Sequence, residues 1–89
     1  MSNRKVKEKL KHVLLKKYKG GEILWERAGD RIVGELIWKG FVGMDQVERQ
    51  EKLWDYLHKQ LDQEEEMQIA AILTATPYEV PAALTAKRN

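Results

Sequence analysis

A chain of 89 residues with a net charge of +2 and no cysteine is a single small domain with a modest core, and it excludes disulfides, thiolate nucleophiles and thiolate metal ligands. No apolar run approaches the ~20 residues that cross a bilayer. The first residues, Met-Ser-Asn-Arg-Lys, precede no apolar segment of the secretory kind, so the chain reads as cytoplasmic.

Residues 3–18 form an amphipathic helix, because Val6, Leu10, Val13, Leu14 and Tyr18 recur at spacings of three and four. Ser2 or Asn3 caps its start, and Gly20-Gly21 ends it. This helix is strongly basic. Arg4, Lys5, Lys7, Lys9, Lys11, Lys16, Lys17 and Lys19 stand against Glu8 alone, and such a face suits phosphates or an acidic protein as well as plain solvation. Two strands follow, residues 22–27 and 31–38, joined as a hairpin by Ala28-Gly29-Asp30. In the second strand Ile32, Gly34, Leu36 and Trp38 share the face expected to meet the helices. Gly34 marks either a bulge or the close approach of a helix.

Residues 39–44 are a loop. The next helix starts at Asp45, where Asp45 and Glu48 have capping-box spacing, and it runs to about Leu61 with Val47, Leu53, Trp54, Leu57 and Leu61 as its apolar stripe. The acidic run Asp-Gln-Glu-Glu-Glu at 62–66 opposes a helix C-terminus, so the helix is expected to end there, in a last turn or a loop. Residues 67–76 are the third strand; the apolar run from Ile69 to Leu73 suggests a strand central in its sheet or covered on both sides. Pro77 ends it. Residues 1–80 form the domain and residues 81–89 read as a loosely held tail. The order α-β-β-α-β gives an α+β fold, a three-stranded mixed sheet with helices on one face and a right-handed crossover that makes the last two strands parallel.

Three stretches carry a family resemblance. Phe41-Val42-Gly43 looks like a Phe-x-Gly after the second strand. Asp45 to Gln50, reading Asp-Gln-Val-Glu-Arg-Gln, looks like a Ser-x-x-x-(Arg/Lys)-(His/Gln) helix start. Thr76-Pro77-Tyr78-Glu79 looks like a closing Thr-Pro-x-Glu. In order and spacing these resemble the BolA family, whose α-β-β-α-β core, often with an extra helical turn before the last strand, is similar to the type II KH fold. The resemblance implies a non-enzymatic protein that binds a partner, a monothiol glutaredoxin among the candidates, or that acts as a transcriptional regulator. It also implies a shared [2Fe–2S] cluster held by a histidine at the start of the last strand and a His or Cys from the hairpin loop. Here Gln68 stands at the first position, Ala28-Gly29-Asp30 make up the loop, and Val80 replaces the family's Trp after Thr-Pro-x-Glu. A neutral amide is a poor iron ligand, so no cofactor is expected.

The two histidines, His12 and His58, have no second ligand at helical spacing, and no nucleophile sits beside a base, so metal sites and catalysis are not expected. Gly40-Phe41-Val42-Gly43 matches the Gly-x-x-Gly of KH domains, but it joins a strand to a helix and lacks central cations; a tight turn anchored by Phe41 accounts for it. Trp25, Trp38 and Trp54 are expected in or near the core, and one exposed beside cations would serve as a base-stacking platform. Three functional readings remain. The first is an adaptor contacting a protein partner through Lys39, Phe41, Gly43, Arg49, Gln68 and Pro77. The second is a nucleic-acid module using Lys5, Lys9, Lys16, Lys17, Lys19 and Arg49 on phosphates. The third is a homodimer or larger homo-oligomer formed through an apolar sheet face or edge.

Overall fold

The sheet is built around β2 (Ile32–Ile37), the one strand with a neighbour on each side. The computed structural model describes residues 3–79; the Ser2 cap, Val80 and the tail at 81–89 lie outside them. Among these residues the order is α1 (Arg4–Lys17), β1 (Glu22–Glu26), β2, a 3-10 turn (Lys39–Phe41), α2 (Gln46–Gln60), α3 (Gln63–Met67) and β3 (Ile69–Ala75). β1 pairs antiparallel with β2 through the tight hairpin, where Gly29 takes a positive φ of 66°. β3 pairs parallel with β2 across the α2–α3 crossover. The α+β class, the mixed sheet and the sense of each strand pair agree with the sequence reading, and no helix among the described residues is long and apolar enough to cross a membrane.

Helices and sheet share one core. Leu10 and Leu14 of α1, Leu53 and Leu57 of α2, and Ile32, Leu36 and Ile72 of the sheet are fully buried together, with Tyr18 and Phe41 sealing one end. The opposite sheet face carries a smaller cluster of Leu24, Ile37 and Ala75. Tyr56 ties α2 to α1 by donating its hydroxyl to the Val13 carbonyl at 2.7 Å, and Lys9 ties α1 to α3 by an ion pair to Glu65 at 2.9 Å.

Five expectations need correction. β3 is an edge strand, not a central one; its apolar run is tolerated because several members are small alanines, while Leu73 is left 47% exposed. Val47, expected on the apolar stripe of α2, is 67% exposed. The first turns of α2 instead aim Gln46, Arg49 and Gln50 at β3. Residues 62–66 do not close α2: Asp62 opens a separate helix, accepting from the Glu65 amide at 2.8 Å while the Glu65 carboxylate accepts from the Asp62 amide at 2.9 Å. Acidic residues that would oppose a C-terminus thereby sit at an N-terminus, where the dipole favours them. Asn3 sits at the start of α1 without capping it through its side chain; its amide donates to the Asp30 carbonyl at 2.8 Å.

Gly34 marks neither a bulge nor a helix approach. The register break with β3 lies between Ile32 and Val33, and the Trp25 ring from the paired position on β1 covers Gly34, so that a Cβ there would fall 2.9 Å from the ring. Gly34→Ala should therefore destabilise the fold by about 1–2 kcal/mol, at the modest end of overpacking costs. Urea unfolding in a double-mutant cycle with Trp25→Leu should recover most of that loss, because the smaller side chain vacates the space.

Candidate functional site

The three stretches that carry the family resemblance meet at one side chain. Arg49, one turn into α2, is 4% exposed. Its Nε donates to the Met44 carbonyl at 2.9 Å, Nη2 to the Phe41 carbonyl at 3.2 Å, and Nη1 to the Glu79 carboxylate at 3.2 Å and more distantly to the Thr74 carbonyl at 3.5 Å. The guanidinium also lies 5.4 Å from the Phe41 ring centroid. The loop before α2, the last residues of β3 and the turn at 76–79 are thus fastened to one cation. Glu79 completes the turn by accepting from the Thr76 amide at 2.7 Å. The Arg49 guanidinium first, and the Thr76 amide second, hold the Glu79 carboxyl below its ordinary value.

Next to this clamp, α2 covers the outer edge of β3. Gln46 donates to the Thr74 carbonyl at 3.1 Å and accepts from the Thr74 hydroxyl at 2.7 Å. Gln50 donates to the Ile72 carbonyl at 2.8 Å, and Trp54 fixes Gln50 by donating to its side-chain oxygen at 3.2 Å. These side chains satisfy carbonyls that an edge strand would otherwise offer to another chain. On the open sheet face Glu35 lies between Leu24 and Leu73 in the same row, so two copies stacked face to face would oppose like charges.

The partner-contact set read from the sequence separates into three groups. Arg49 and Phe41 are interior, so they support the surface without forming it. Lys39, Gly43 and Pro77 are exposed at the end of the sheet where β2 and β3 finish. Gln68 lies at the other end, beyond the seven residues of β3 (Ile69–Ala75), which span about 20 Å at ~3.3 Å per strand residue. There the Gln68 carbonyl accepts from the Ile32 amide at 2.7 Å, and Arg31 donates to the Met67 and Ile69 carbonyls at 3.0 and 3.1 Å. The hairpin loop and the start of β3 are therefore one fixed surface, from which Met67 projects 67% exposed. Arg31 and Met67 were not singled out from the sequence; the signal available was their adjacency to the loop and to Gln68. For a [2Fe–2S] cluster this pole offers a neutral Gln68 amide and an Ala-Gly-Asp loop, which do not fit the ligand set. Among the described residues no three His, Cys, Asp or Glu side chains converge as a metal site. His12 is exposed, and His58 contacts Glu66 at 2.8 Å.

The basic helix divides as well. Lys5, Lys9 and Lys16 lie along one exposed flank, where Lys9 is taken by Glu65. Lys17 stands over the Tyr56 ring at 5.0 Å from its centroid, and Lys19 follows the helix. Arg49, the sixth member of the phosphate set, is spent inside the fold. Arg4, Lys7 and Lys11, left out of that set, line a groove of ≈ 550 Å³ between α1 and the hairpin, together with Trp25, Gly29 and two acids, Glu8 and Asp30. Lys7 lies 5.8 Å from the Trp25 ring centroid. No family model, curated protein or solved structure matches this chain.

Two outcomes test the clamp. Arg49→Met should cost about 2–4 kcal/mol, since up to three inward carbonyls lose their donor at roughly 1 kcal/mol each; chemical unfolding measures it, and Arg49→Lys should recover little because an ammonium cannot reach all of these acceptors. Glu79 and Glu65, the latter held down by the Lys9 ammonium and then by the Asp62 amide, both titrate below their ordinary value of 4.5 in the folded chain. Their contribution is complete above that value and is lost as pH falls through the lower folded values. The melting temperature should therefore drop as the solution is acidified below pH 4.5, and Glu79→Gln with Glu65→Gln should flatten that drop. The flattening should be smaller at high salt, most of all for Glu79, whose carboxylate is half in solvent.

Proposed function

We propose that the chain is a non-enzymatic BolA-like adaptor that binds a protein partner, with a monothiol glutaredoxin the first candidate, and that it does so without supplying a cluster ligand. The observation that carries this reading is the fixed surface joining the hairpin loop to the start of β3. In the family the chain resembles, these are the two positions that meet the partner's cluster, and here they remain adjacent while their ligand chemistry is gone. The exposed Met67 gives the surface an adaptable apolar contact, and Gln68 gives it a neutral hydrogen-bonding group in place of a ligand. The far group of Lys39, Gly43 and Pro77 belongs to a different end of the domain and is outside this contact.

Titration calorimetry with a monothiol glutaredoxin should detect binding with or without iron. Met67→Glu should weaken it at least tenfold by placing a charge in the contact, while Lys39→Glu should leave it unchanged. Gln68→His with iron and sulfide should yield no visible absorbance from the chain alone, because the loop still lacks a second ligand. An affinity insensitive to Met67 would remove the proposed surface, and an absence of binding would remove this partner.

The groove where Lys7 and Lys11 stand beside Trp25, partly offset by Glu8 and Asp30, supports a second reading, a single-stranded nucleic-acid module in which an aromatic ring stacks a base and cations meet phosphates. Fluorescence anisotropy with labelled single-stranded DNA should then fall steeply with salt, and Lys7→Ala with Lys11→Ala should reduce the slope of log affinity against log salt by about 0.7 per phosphate contact removed. A salt-independent or absent signal would rule it out.

A further inference from the structure

The two edges of the sheet are finished differently. At the outer edge of β3 the Ile72 and Thr74 carbonyls accept from Gln50 and Gln46 at 2.8 and 3.1 Å. β1 (Glu22–Glu26) forms the opposite edge. Antiparallel pairing with β2 uses the N–H and C=O of alternate residues, so the remaining backbone groups of β1 point outward. Among the described residues, no hydrogen bond from outside this ladder reaches the backbone of Ile23, Leu24 or Trp25. Outward groups of this kind are hydrated in the free chain and can exchange water for an added strand.

The side chains beside this edge define what can pair with it. The three strands hold no Lys or Arg and three carboxylates, Glu22, Glu26 and Glu35. Alternation and register put all three on the face away from the helices, in the rows of Ile37, Val33 and Leu24. Glu22 and Glu26 stand at the two ends of β1 with Leu24 midway between them, and Glu22 is exposed. On the helix side, Trp25 borders the ≈ 550 Å³ groove between α1 and the hairpin. Side chains of an added strand would point alternately toward Glu22, Leu24 and Glu26 and toward Ile23 and Trp25. A second copy does not suit this edge. Antiparallel pairing about Leu24 sets Glu22 of one copy opposite Glu26 of the other, and like charges directly opposite are destabilising. A strand with a cation at each end and apolar residues between them meets all five positions.

We propose that the outer edge of β1 takes up an extended segment of a partner protein as a fourth strand, with Lys or Arg opposite Glu22 and Glu26 and apolar residues between them. The backbone ladder supplies the affinity, and the two carboxylates select the charge. The apolar side chain that points to the helix side packs beside the Trp25 indole at the groove. This edge lies across β2 from β3, and the inference does not depend on the adaptor reading.

The test uses the full chain, two-dimensional amide NMR and the peptide acetyl-Ser-Lys-Val-Leu-Val-Lys-Ser-amide. Saturable shifts of the Ile23, Leu24 and Trp25 amides are expected. The same peptide with Glu in place of both Lys should bind at least tenfold more weakly, and Glu22→Gln with Glu26→Gln should reduce that difference to less than threefold. Two N-methylated forms of the peptide test the ladder. Methyls on one alternate set of amides should abolish binding, and methyls on the other set should leave it within threefold, because only one side of an added strand meets β1. If both methylated forms bind as the parent does, the contact is no strand pairing and the inference fails. It also fails if the acidic peptide binds equally well, or if the shifts fall along β3. Shifts of the same three amides with protein concentration alone would give the edge to a second copy and overturn it too.

Discussion

Everything at one end of this domain hangs on the Arg49 guanidinium. A guanidinium carries five N–H donors in a rigid fork, and here the fork reaches the carbonyls of Phe41, Met44 and Thr74 and the carboxylate of Glu79. Without it, a loop, a strand end and a turn would each end with inward-facing acceptors and no common anchor. The cation itself is tolerated in the interior because Glu79 supplies a countercharge from the surface, half in solvent, and because the Phe41 ring lies against it. The constraint also fixes local sequence. Gly43 takes a positive φ of 87°, which turns the chain so that the Met44 carbonyl meets Nε, and Glu79 lies three residues after Thr76, the spacing that lets its carboxylate reach the Thr76 amide and the guanidinium together.

This explains which parts of the fold could be read from the sequence. Leu10, Leu14, Leu53 and Leu57 follow the helical period because they meet an apolar sheet, and their helices were legible to within a residue or two at each end. The hairpin was legible because Ala-Gly-Asp has the turn chemistry and its flanks have strand composition. The helix around Asp62 was missed because its four polar residues at 62–65 looked like the end of something longer; Asp62 and Glu65 have the same cap spacing that was recognised at Asp45 and Glu48, so the signal was present and was outweighed by the charge argument. The misplacement of Val47 has a different cause. Periodicity assumes that a helix presents apolar residues to its neighbour, whereas the start of α2 faces the edge of β3, where the neighbour is a row of carbonyls. Gln46, Arg49 and Gln50, at the same three- and four-residue spacings, are the stripe that counts there.

The same geometry separates support from contact among the candidate residues. A motif read in one dimension treats Phe41, Gly43, Arg49 and Pro77 as equals. In the structure Phe41 and Arg49 hold the clamp from inside, and Gly43 and Pro77 mark the outer rim of the turns it fixes. Gln68 stands apart because a parallel crossover puts the start of β3 beside the start of β2 and the hairpin loop. Residues far apart in sequence, 28–31 and 67–69, are thereby neighbours, while the two ends of β3 belong to different surfaces. A partner gripping both ends at once would have to span the whole length of the sheet, so a contact at the hairpin pole leaves the clamp free for another use.

The clamp leaves little freedom around Phe41. With its carbonyl held by Arg49 and its ring wedged against Tyr18 and Trp38, Phe41 cannot turn to fill the space beside Met44. A close-packed core relaxes only partially into a gap. Here the Phe41 ring is held by its contacts with Tyr18 and Trp38 and the Trp38 indole by its Nε1 bond to the Lys19 carbonyl, so little of that relaxation is open to either ring.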